Sequence, residues 1–327
     1  MTTTVPKIFA FHEFSDVAEA VADHVVHAQD GALAPKNERK HSVPNISMNA
    51  LDMTREASCK STASDAEGKS GSSKPKKEKR FKIALSGGSL IEVLHEGLLK
   101  RDDVRWGDWD IYFADERLVP FSSNESNYGC AKRKILDLID TAKYGTPKVY
   151  HIDESLIDDP QECADNYEKV LIRGFAGRDS VKLPMFDLFL LGCAPDGHIA
   201  SLFPNFQDNL REKLAWVVPV ENAPSGPSTR ISLTIPVICH SHRVTFVVEG
   251  ATKAPIIKTI MERPEKGLPS SIVNEGAAGR VSWFVDDDAL TDSHFSKICH
   301  ERIQTETLIV RQLPNQLEQR GDTASDI

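Results

Sequence analysis

No stretch of the sequence has the roughly 18 consecutive apolar residues of a membrane-spanning helix. The first residues also lack the basic segment followed by an apolar segment that marks a secretory signal. The six cysteines are scattered and form no C-x-x-C pair, so neither a zinc ribbon nor a disulfide framework is indicated. We therefore expect no membrane contact, reduced thiols, and a location in the cytoplasm, with the nucleus as the alternative.

Positive charge is also scarce. The 327 residues carry a net charge of -9, whereas a general nucleic-acid-binding surface needs a basic face. Only a local basic patch could then contact nucleic acid. Charged residues make up 27% and hydrophobic residues 40%, as in a soluble globular protein, and the length favours one large domain.

Apolar and polar segments alternate in a way that predicts one α/β domain with an insertion. Residues 1–30 contain a predicted strand, Lys7–Phe11, and a helix with Ser15 as its N-cap. Residues 31–80 are rich in Ser, Lys, Asn, Glu and Gly, and have too few large apolar side chains to repay the entropy of ordering, so we predict a disordered low-complexity insertion. Residues 81–290 form the rest of the domain, and 291–327 are a polar tail.

Strand and helix signals alternate within the domain. The predicted strands and strand-like segments include Phe81–Ser86, Trp109–Ala114, Phe186–Leu191, Trp216–Val220, Ile231–Cys239, Arg243–Gly250 and Arg280–Val285. Such alternation predicts an α/β fold with a doubly wound, mostly parallel sheet and helices on both faces, which is a Rossmann-like arrangement.

The predicted insertion ends in a basic run. Lys74–Arg80 holds five basic residues in seven, which suits a nuclear-import signal or a contact with RNA. A solvated linker is the simpler interpretation, since charge runs usually face water.

A loop after the strand Phe186–Leu191 carries the first candidate catalytic group. Gly192–Gly197 end the strand, and His198 follows, with Asp196 two residues earlier in a position to orient the imidazole. Histidine titrates near neutral pH, and open α/β sheets bind ligands at this edge of the sheet. The alternative is a surface His beside a turn Asp.

Two further strand ends carry candidate ligand groups. Ser86, Gly87 and Gly88 precede a predicted helix, so their backbone N–H groups could hold a phosphate, although a plain strand-to-helix turn would look the same. Arg117 follows the strand Trp109–Ala114 beside two acids, where its planar guanidinium suits a phosphate or carboxylate. A surface ion pair is the alternative.

Two clusters that resemble metal ligands favour structural interpretations. The acids Asp286–Asp288 are better explained as caps of a last short helix. His240 and His242 lack other metal ligands nearby in the sequence, so we interpret them as structural.

Taken together, these segments resemble 6-phosphogluconolactonase. The resemblance covers about residues 7–290 without the insertion, and its blocks occur in the family's order: Ser86–Ser89, Asp115–Arg117 with Ser126–Tyr128, Pro195–His198 with Ala200–Pro204, and Arg230–Thr234. The sister family, glucosamine-6-phosphate deaminase, shares the fold and the D-G-H loop but follows it with an Asn-Glu-Pro-like segment. Leu202–Pro204 places this chain with the lactonases.

The resemblance implies hydrolysis of a phosphorylated sugar lactone in the pentose phosphate pathway, without metal or cofactor. It implies that His198 is the general base, that Asp196 orients it, and that Arg117 contacts the phosphate or the developing oxyanion. Gly87, Gly88 and Arg230 would help to hold the phosphate. No G-x-S-x-G segment supplies a covalent nucleophile.

Three positions depart from the family pattern. Ser225 stands where a substrate-facing Lys is usual, Ala194 where Gly is usual, and Ile199 where Thr is usual. These departures keep a second hypothesis open, a lactonase-like protein with weakened catalysis that acts as a regulatory or binding protein. Some eukaryotic members that resemble this branch have been linked to tRNA distribution.

Overall fold

The computed structural model describes residues 6–35, 78–175 and 183–292. Its strands are β1 (Lys7–Phe11), β2 (Phe81–Leu85), β3 (Trp109–Phe113), β4 (Asp115–Arg117), β5 (Lys148–Tyr150), β6 (Leu188–Leu191), β7 (Val217–Val220), β8 (Arg230–Leu233), β9 (Val244–Val248) and β10 (Val281–Asp286). Its α-helices are α1 (Phe14–Leu33), α2 (Leu90–Leu98), α3 (Asn127–Lys134), α4 (Thr141–Tyr144), α5 (Pro160–Phe175), α6 (Gln207–Arg211), α7 (Ile235–Cys239), α8 (Ala254–Glu262) and α9 (Pro269–Gly276). No helix in these ranges is long and apolar enough to cross a membrane.

The main sheet has seven strands in the order β1-β10-β9-β6-β2-β3-β5, and every neighbouring pair is parallel. The chain builds one half outward from β2 through β3 to β5, and then crosses to the other side of β2 to place β6. The strand order therefore reverses between β2 and β6, which is where open α/β sheets bind ligands. The predicted doubly wound, mostly parallel sheet is confirmed.

Both faces of this sheet are buried, which explains its nearly continuous apolar strands. On β6, Leu188 and Leu190 pack in a core with α1 and α2, whereas Phe189 and Leu191 pack in a second core with α5 and α7. This division follows the alternation of side chains along a strand. Helices must therefore cover both faces, and polar groups can gather only where the strands end.

A smaller antiparallel sheet, in the order β4-β8-β7, accompanies the main one. The chain passes from β3 to β4 at Ala114, whose N–H donates to Leu85 of the main sheet at 2.7 Å and whose carbonyl accepts from Leu233 of the small sheet at 2.8 Å. The sequence had suggested that Trp216–Val220 and Ile231–Cys239 continue the strand-helix alternation of the main sheet. They instead supply β7, the end of β8, and α7.

Two predicted boundaries need correction. Helix α1 begins at Phe14 rather than after Ser15, because the Glu13 carbonyl already accepts from Asp16 and Val17. It also continues to Leu33, past the predicted start of the insertion at residue 31, because Ala32 is buried against the core of this face. Residues 36–77 of the predicted insertion and 293–327 of the predicted tail lie outside the described residues.

The acids after β10 have a structural role. Asp286 accepts from the N–H of Gly250 at 2.8 Å and from that of Ala289 at 2.9 Å, where a last short 3-10 helix, Asp288–Leu290, begins. Across the ranges that the structure covers, no three His, Cys, Asp or Glu side chains are grouped as metal ligands. His240 has a structural partner, since its Nδ1 lies 3.0 Å from the carbonyl oxygen of Pro184.

A half-buried histidine on α1 generates a pH prediction. His24 lies 2.8 Å from the hydroxyl of Thr245, and burial, with Arg243, lowers its pKa to about 4. The folded state thus keeps a neutral imidazole that the unfolded chain protonates below about pH 6.5. The resulting stability is present above that pH and is lost as the pH falls toward 4.

We expect His24→Gln to lack this proton uptake. The free energy of unfolding of the wild type should fall relative to the variant by about 2–3 kcal/mol between pH 7 and pH 4. Urea unfolding at several pH values measures the difference. Parallel pH curves for the two proteins would contradict the buried neutral state.

Candidate active site

A cavity of ≈ 240 Å³ opens at the carboxyl ends of the central strands. It lies at the point between β2 and β6 where the strand order reverses, as expected for a ligand site. Its walls come from the ends of β2, β6 and β9, from β4, and from the start of α8: Ser86, Gly87, Gly88, Ser89, Asp115, Arg117, Gly192, Cys193, Ala194, His198, Ala200, Val247, Val248, Glu249 and Lys253.

The glycine turn after β2 needs both of its glycines. Gly88 has φ +72°, in the left-handed region that L side chains rarely adopt. A Cβ on Gly87 would lie 1.8 Å from Oδ1 of Asn127, whose amide in turn donates to the Asp115 carbonyl at 2.9 Å. The turn therefore packs directly against the elements that carry the charged groups of the site.

His198 and Asp196 form the predicted pair. Nδ1 of His198 lies 2.7 Å from Oδ1 of Asp196, which leaves Nε2 without a protein partner within the described chain. Burial lowers the pKa of His198, and the neighbouring Asp196 carboxylate opposes that shift. The imidazole is therefore neutral at neutral pH, with Nε2 available to accept a proton.

Asp115 connects three parts of the site. Its buried carboxylate accepts from the hydroxyl of Ser201 at 2.7 Å and from that of Ser86 at 3.3 Å. Nε of Arg117 lies 3.9 Å from the same carboxylate. The loop after His198, the end of β2, and strand β4 are thus held together by one acid, which the sequence had indicated only as a neighbour of Arg117.

Glu116 fixes the start of α3 beside the site. Its carboxylate accepts from the backbone N–H groups of Asn127 at 2.7 Å and Tyr128 at 2.8 Å, which have no partner inside the helix. Burial raises the pKa of Glu116 to about 7, while these N–H groups act in the opposite direction. The side chain therefore acts on the site through the position of Asn127.

Arg117 and Arg230 lie directly opposite each other in the β4–β8 register. Like charges at such positions repel, and burial together with Arg117 lowers the pKa of Arg230. Arg117 donates from Nη1 to the Glu125 carbonyl at 3.1 Å, but its Nε is buried without a hydrogen-bond partner. Nη1 of Arg230 is also buried and unpaired, so this pair of guanidinium groups favours an anion nearby.

Arg230 is nevertheless largely engaged by its own loop. Its Nε donates to the Pro227 carbonyl at 2.9 Å, its Nη2 donates to the Ser225 carbonyl, and its guanidinium carbon lies 5.3 Å from the ring centre of Phe203. Arg230 is not among the described residues that line the cavity, unlike Ser86, Gly87, Gly88, Arg117 and His198. Asp196 also stands outside the lining, behind the imidazole that it orients.

The departures at Ala194 and Ile199 have mild structural effects. Ala194 does not have a positive φ, and the left-handed positions of this loop are Gly197 (φ +87°) and Ala200 (φ +49°). Ile199 is fully buried and packs in the core, where its side chain is removed from the cavity. Ala194 therefore does not need the backbone freedom that the usual Gly would have at this position.

Sequence reasoning missed two charged groups of the cavity. Lys253 was assigned only to a helix, and Glu249 only to a strand, yet both line the cavity wall beyond β9. Burial, and then Asp286, raises the pKa of Glu249 to about 7, and its Oε1 has no hydrogen-bond partner. The sequence feature that could have identified them as cavity residues is their position after a buried strand, next to the turn at Gly250.

The sequence from 54 to 283 matches the family described as glucosamine-6-phosphate isomerases/6-phosphogluconolactonase. The chain is 97% identical over 299 residues to 6-phosphogluconolactonase-like protein 2 of Saccharomyces cerevisiae, which covers 89% of this chain and 95% of that protein. It is 44% identical over 213 residues to a probable 6-phosphogluconolactonase of Schizosaccharomyces pombe, covering 64% of this chain and 82% of that protein.

Solved structures share the fold. The structure of 6-phosphogluconolactonase from Trypanosoma cruzi superimposes with a TM-score of 0.62 at 24% identity, covering 90% of this chain and 98% of that one. The structure from Leishmania guyanensis gives a TM-score of 0.62 at 21% identity, with 87% and 97% covered.

The close approach at Gly87 generates a stability prediction. Gly87→Ala should destabilise the protein by about 1–3 kcal/mol, because the new methyl group meets the buried side chain of Asn127. Gly192→Ala is the matched control, since a Cβ there has no atom within 4 Å. Guanidinium unfolding measures both variants. Equal stabilities would show that Asn127 moves aside without cost.

Proposed function

Because the chain belongs to the glucosamine-6-phosphate isomerase/6-phosphogluconolactonase family, we propose that it hydrolyses 6-phospho-D-glucono-1,5-lactone to 6-phosphogluconate. The observation that carries this proposal is the His198–Asp196 pair, at 2.7 Å, on the wall of a cavity that also presents the glycine turn and Arg117. The names of the yeast relatives support the same substrate class.

The proposed reaction needs only one group that takes up and returns a proton. Nε2 of His198 removes a proton from water as the water oxygen attacks the lactone carbonyl carbon. The tetrahedral intermediate then collapses, the bond from that carbon to the ring oxygen breaks, and the imidazolium returns its proton to the departing oxygen. Asp196 holds Nδ1 and stabilises the imidazolium between the two steps.

The negative charges of the substrate have matching partners. Arg117 lines the cavity, where its guanidinium would stabilise the developing oxyanion or bind the phosphate. Gly87 and Gly88 precede the start of α2, where backbone N–H groups favour an anion. Lys253, on the opposite wall, supplies a further cation that does not depend on the loop of Ser225.

One observation favours the second candidate, a lactonase-like binding or regulatory protein with weak catalysis. The guanidinium of Arg230 donates to the carbonyls of Ser225 and Pro227 rather than facing the cavity, and Ser225 brings no cation of its own. Phosphate binding would then rest on Arg117, Lys253 and the glycine turn. A protein that binds phosphate weakly can still hold its ligand when the ligand is concentrated, but it would turn over the lactone slowly.

A partnership with RNA has less support. Of the basic run Lys74–Arg80, residues 74–77 lie outside the described residues. Lys79 donates to the Ala34 carbonyl, and Arg80 binds Asp110 and the Gly107 carbonyl. These two cations are engaged within the fold, so an RNA contact would depend on the first part of the run.

His198→Ala should lower kcat/KM for the lactone by about 10²–10⁴-fold, because the general base is lost. Since burial lowers the pKa of His198, the acid side of the wild-type pH profile should fall below the ordinary histidine value of about 6.5. The rate above spontaneous hydrolysis is the measurement, with His95→Ala as a control, because His95 is a half-buried histidine on α2 that does not line the cavity. A wild-type rate equal to that of His198→Ala would reject the enzymatic proposal and favour the second candidate.

Ser225→Lys should raise kcat/KM about ten- to a hundred-fold, mainly through KM, because a charge-assisted hydrogen bond to the phosphate is restored. Ser228→Lys is the matched control, since it adds the same charge to another exposed position of the loop. Equal gains in the two variants would indicate a general charge effect. No gain in either would show that the missing cation is not what limits binding.

A further inference from the structure

A second cavity, of ≈ 590 Å³, lies at the opposite edge of the main sheet. It is formed by the amino ends of β1, β6, β9 and β10 and by the last turns of α1. The described residues that line it include several basic side chains and a single acid: Lys7, Phe9, His24, His27, Gly31, Ala32, Asp187, His242, Arg243, Gly279, Arg280 and Ser282. None of these residues contributes to the candidate active site.

The sheet register brings the three strong cations together. Lys7 pairs with Ser282, and Ser282 pairs with Thr245, so these three positions lie in one row across β1, β10 and β9. Arg243 and Arg280 each precede this row by two residues, and therefore lie on the same face of the sheet. The N–H of Val244 donates to the Arg280 carbonyl at 3.0 Å, which makes the two arginines neighbours.

That face of the sheet is the one covered by α1. Thr245 bonds to His24 of α1, and Phe9 and Phe284 pack in the same core as this helix. The cations at the strand ends consequently point into the recess between the sheet edge and the end of α1. A Cβ added to Gly31 would lie 3.7 Å from Nη2 of Arg243, so the helix approaches the guanidinium closely.

Among the described residues, a single acid, Asp187, lines the recess with these three cations, so their positive charge is only partly balanced. Arg243 makes no side-chain hydrogen bond and no ion pair with another described residue, although burial lowers its pKa and Asp187 opposes that shift. Within the same ranges, the side chain of Arg280 has one hydrogen-bond partner, the Ser241 carbonyl. The negative end of α1 contributes only about half a charge. In a chain of net charge -9, this concentration of cations is unusual.

We propose that this cavity binds a phosphorylated small molecule, with its phosphate held by Arg243, Arg280 and Lys7. Guanidinium groups pair with phosphate oxygens in bidentate fashion, and an ammonium group adds a point charge. The volume exceeds what a phosphate alone fills and lies within the range of small-molecule sites. The half-buried ring of Phe9 offers an apolar surface for the rest of the ligand.

The test uses inorganic pyrophosphate as the probe and the full-length chain carrying Arg117→Gln, so that anion binding at the candidate active site is weakened. Isothermal titration calorimetry should detect binding, and the ring protons of His24 should shift in the NMR spectrum. Adding Arg243→Gln should weaken binding by roughly ten- to a hundred-fold, because one charge-assisted contact is lost. Arg243→Lys should restore part of it.

The matched control is Lys132→Gln, which removes one exposed cation far from the cavity and should leave the affinity unchanged. The thermal midpoint of each variant, measured without probe, shows whether a loss of binding results only from unfolding of the variant. Equal affinity with and without Arg243→Gln, in folded proteins, would overturn the proposal. Citrate binding as tight as that of pyrophosphate would overturn the phosphate class, and binding of oligoribonucleotides without any of pyrophosphate would reassign the surface to nucleic acid.

Discussion

The burial of both faces of the parallel sheet is the constraint from which the rest of the molecule follows. Every residue of β6 is buried, because cores on both sides exclude water from the strand. A charged side chain in such a strand would lose its hydration without a partner. Titratable groups are therefore concentrated at the two edges, where loops and helix ends supply hydrogen bonds. The sheet thus has two polar rims: the carboxyl ends of its strands, where the candidate active site lies, and the amino ends, where the basic cavity lies.

At the carboxyl rim, the arrangement of charged groups depends on how the chain passes from the main sheet into the small sheet. Ala114 bonds to β2 on one side and to β8 on the other, so the direction of β4 is fixed within one residue of leaving β3. As a result Asp115 points to the seryl groups of the site, and Arg117 comes opposite Arg230. The repulsion between the two arginines is offset by Glu125 and Asp115 on one side and by loop carbonyls on the other. Among the described residues, Nε of Arg117 and Nη1 of Arg230 have no hydrogen-bond partner, and of the two arginines it is Arg117 that lines the cavity.

Much of this fold could be predicted from local sequence, and part of it could not. The apolar runs of β2, β3 and β6 could be predicted, because the burial of both faces of a strand leaves a local apolar pattern in the sequence. The small sheet could not, because Val217–Val220 and Arg230–Leu233 have the same apolar character as strands of the main sheet, and pairing is set by distant chain segments. The His198–Asp196 pair was readable because its members are two residues apart. Lys253 and Glu249 were not, since only the folded sheet brings them to the wall of the cavity.

The three departures from the family pattern also differ in whether their effects remain local or involve distant residues. Ala194 lies in an unstrained backbone position, and Ile199 faces the core, so each change is absorbed locally. Ser225 is different, because its carbonyl accepts a hydrogen bond from Arg230. The next residue, Gly226, lets the loop lie close to this guanidinium, since a Cβ on Gly226 would be only 3.1 Å from Nη2 of Arg230. An anion that binds Arg230 must compete with these loop carbonyls for the same guanidinium. Under the proposed function, the affinity for phosphate is coupled to the conformation of the Ser225 loop, and the cation missing at that position removes a charge where the competition takes place.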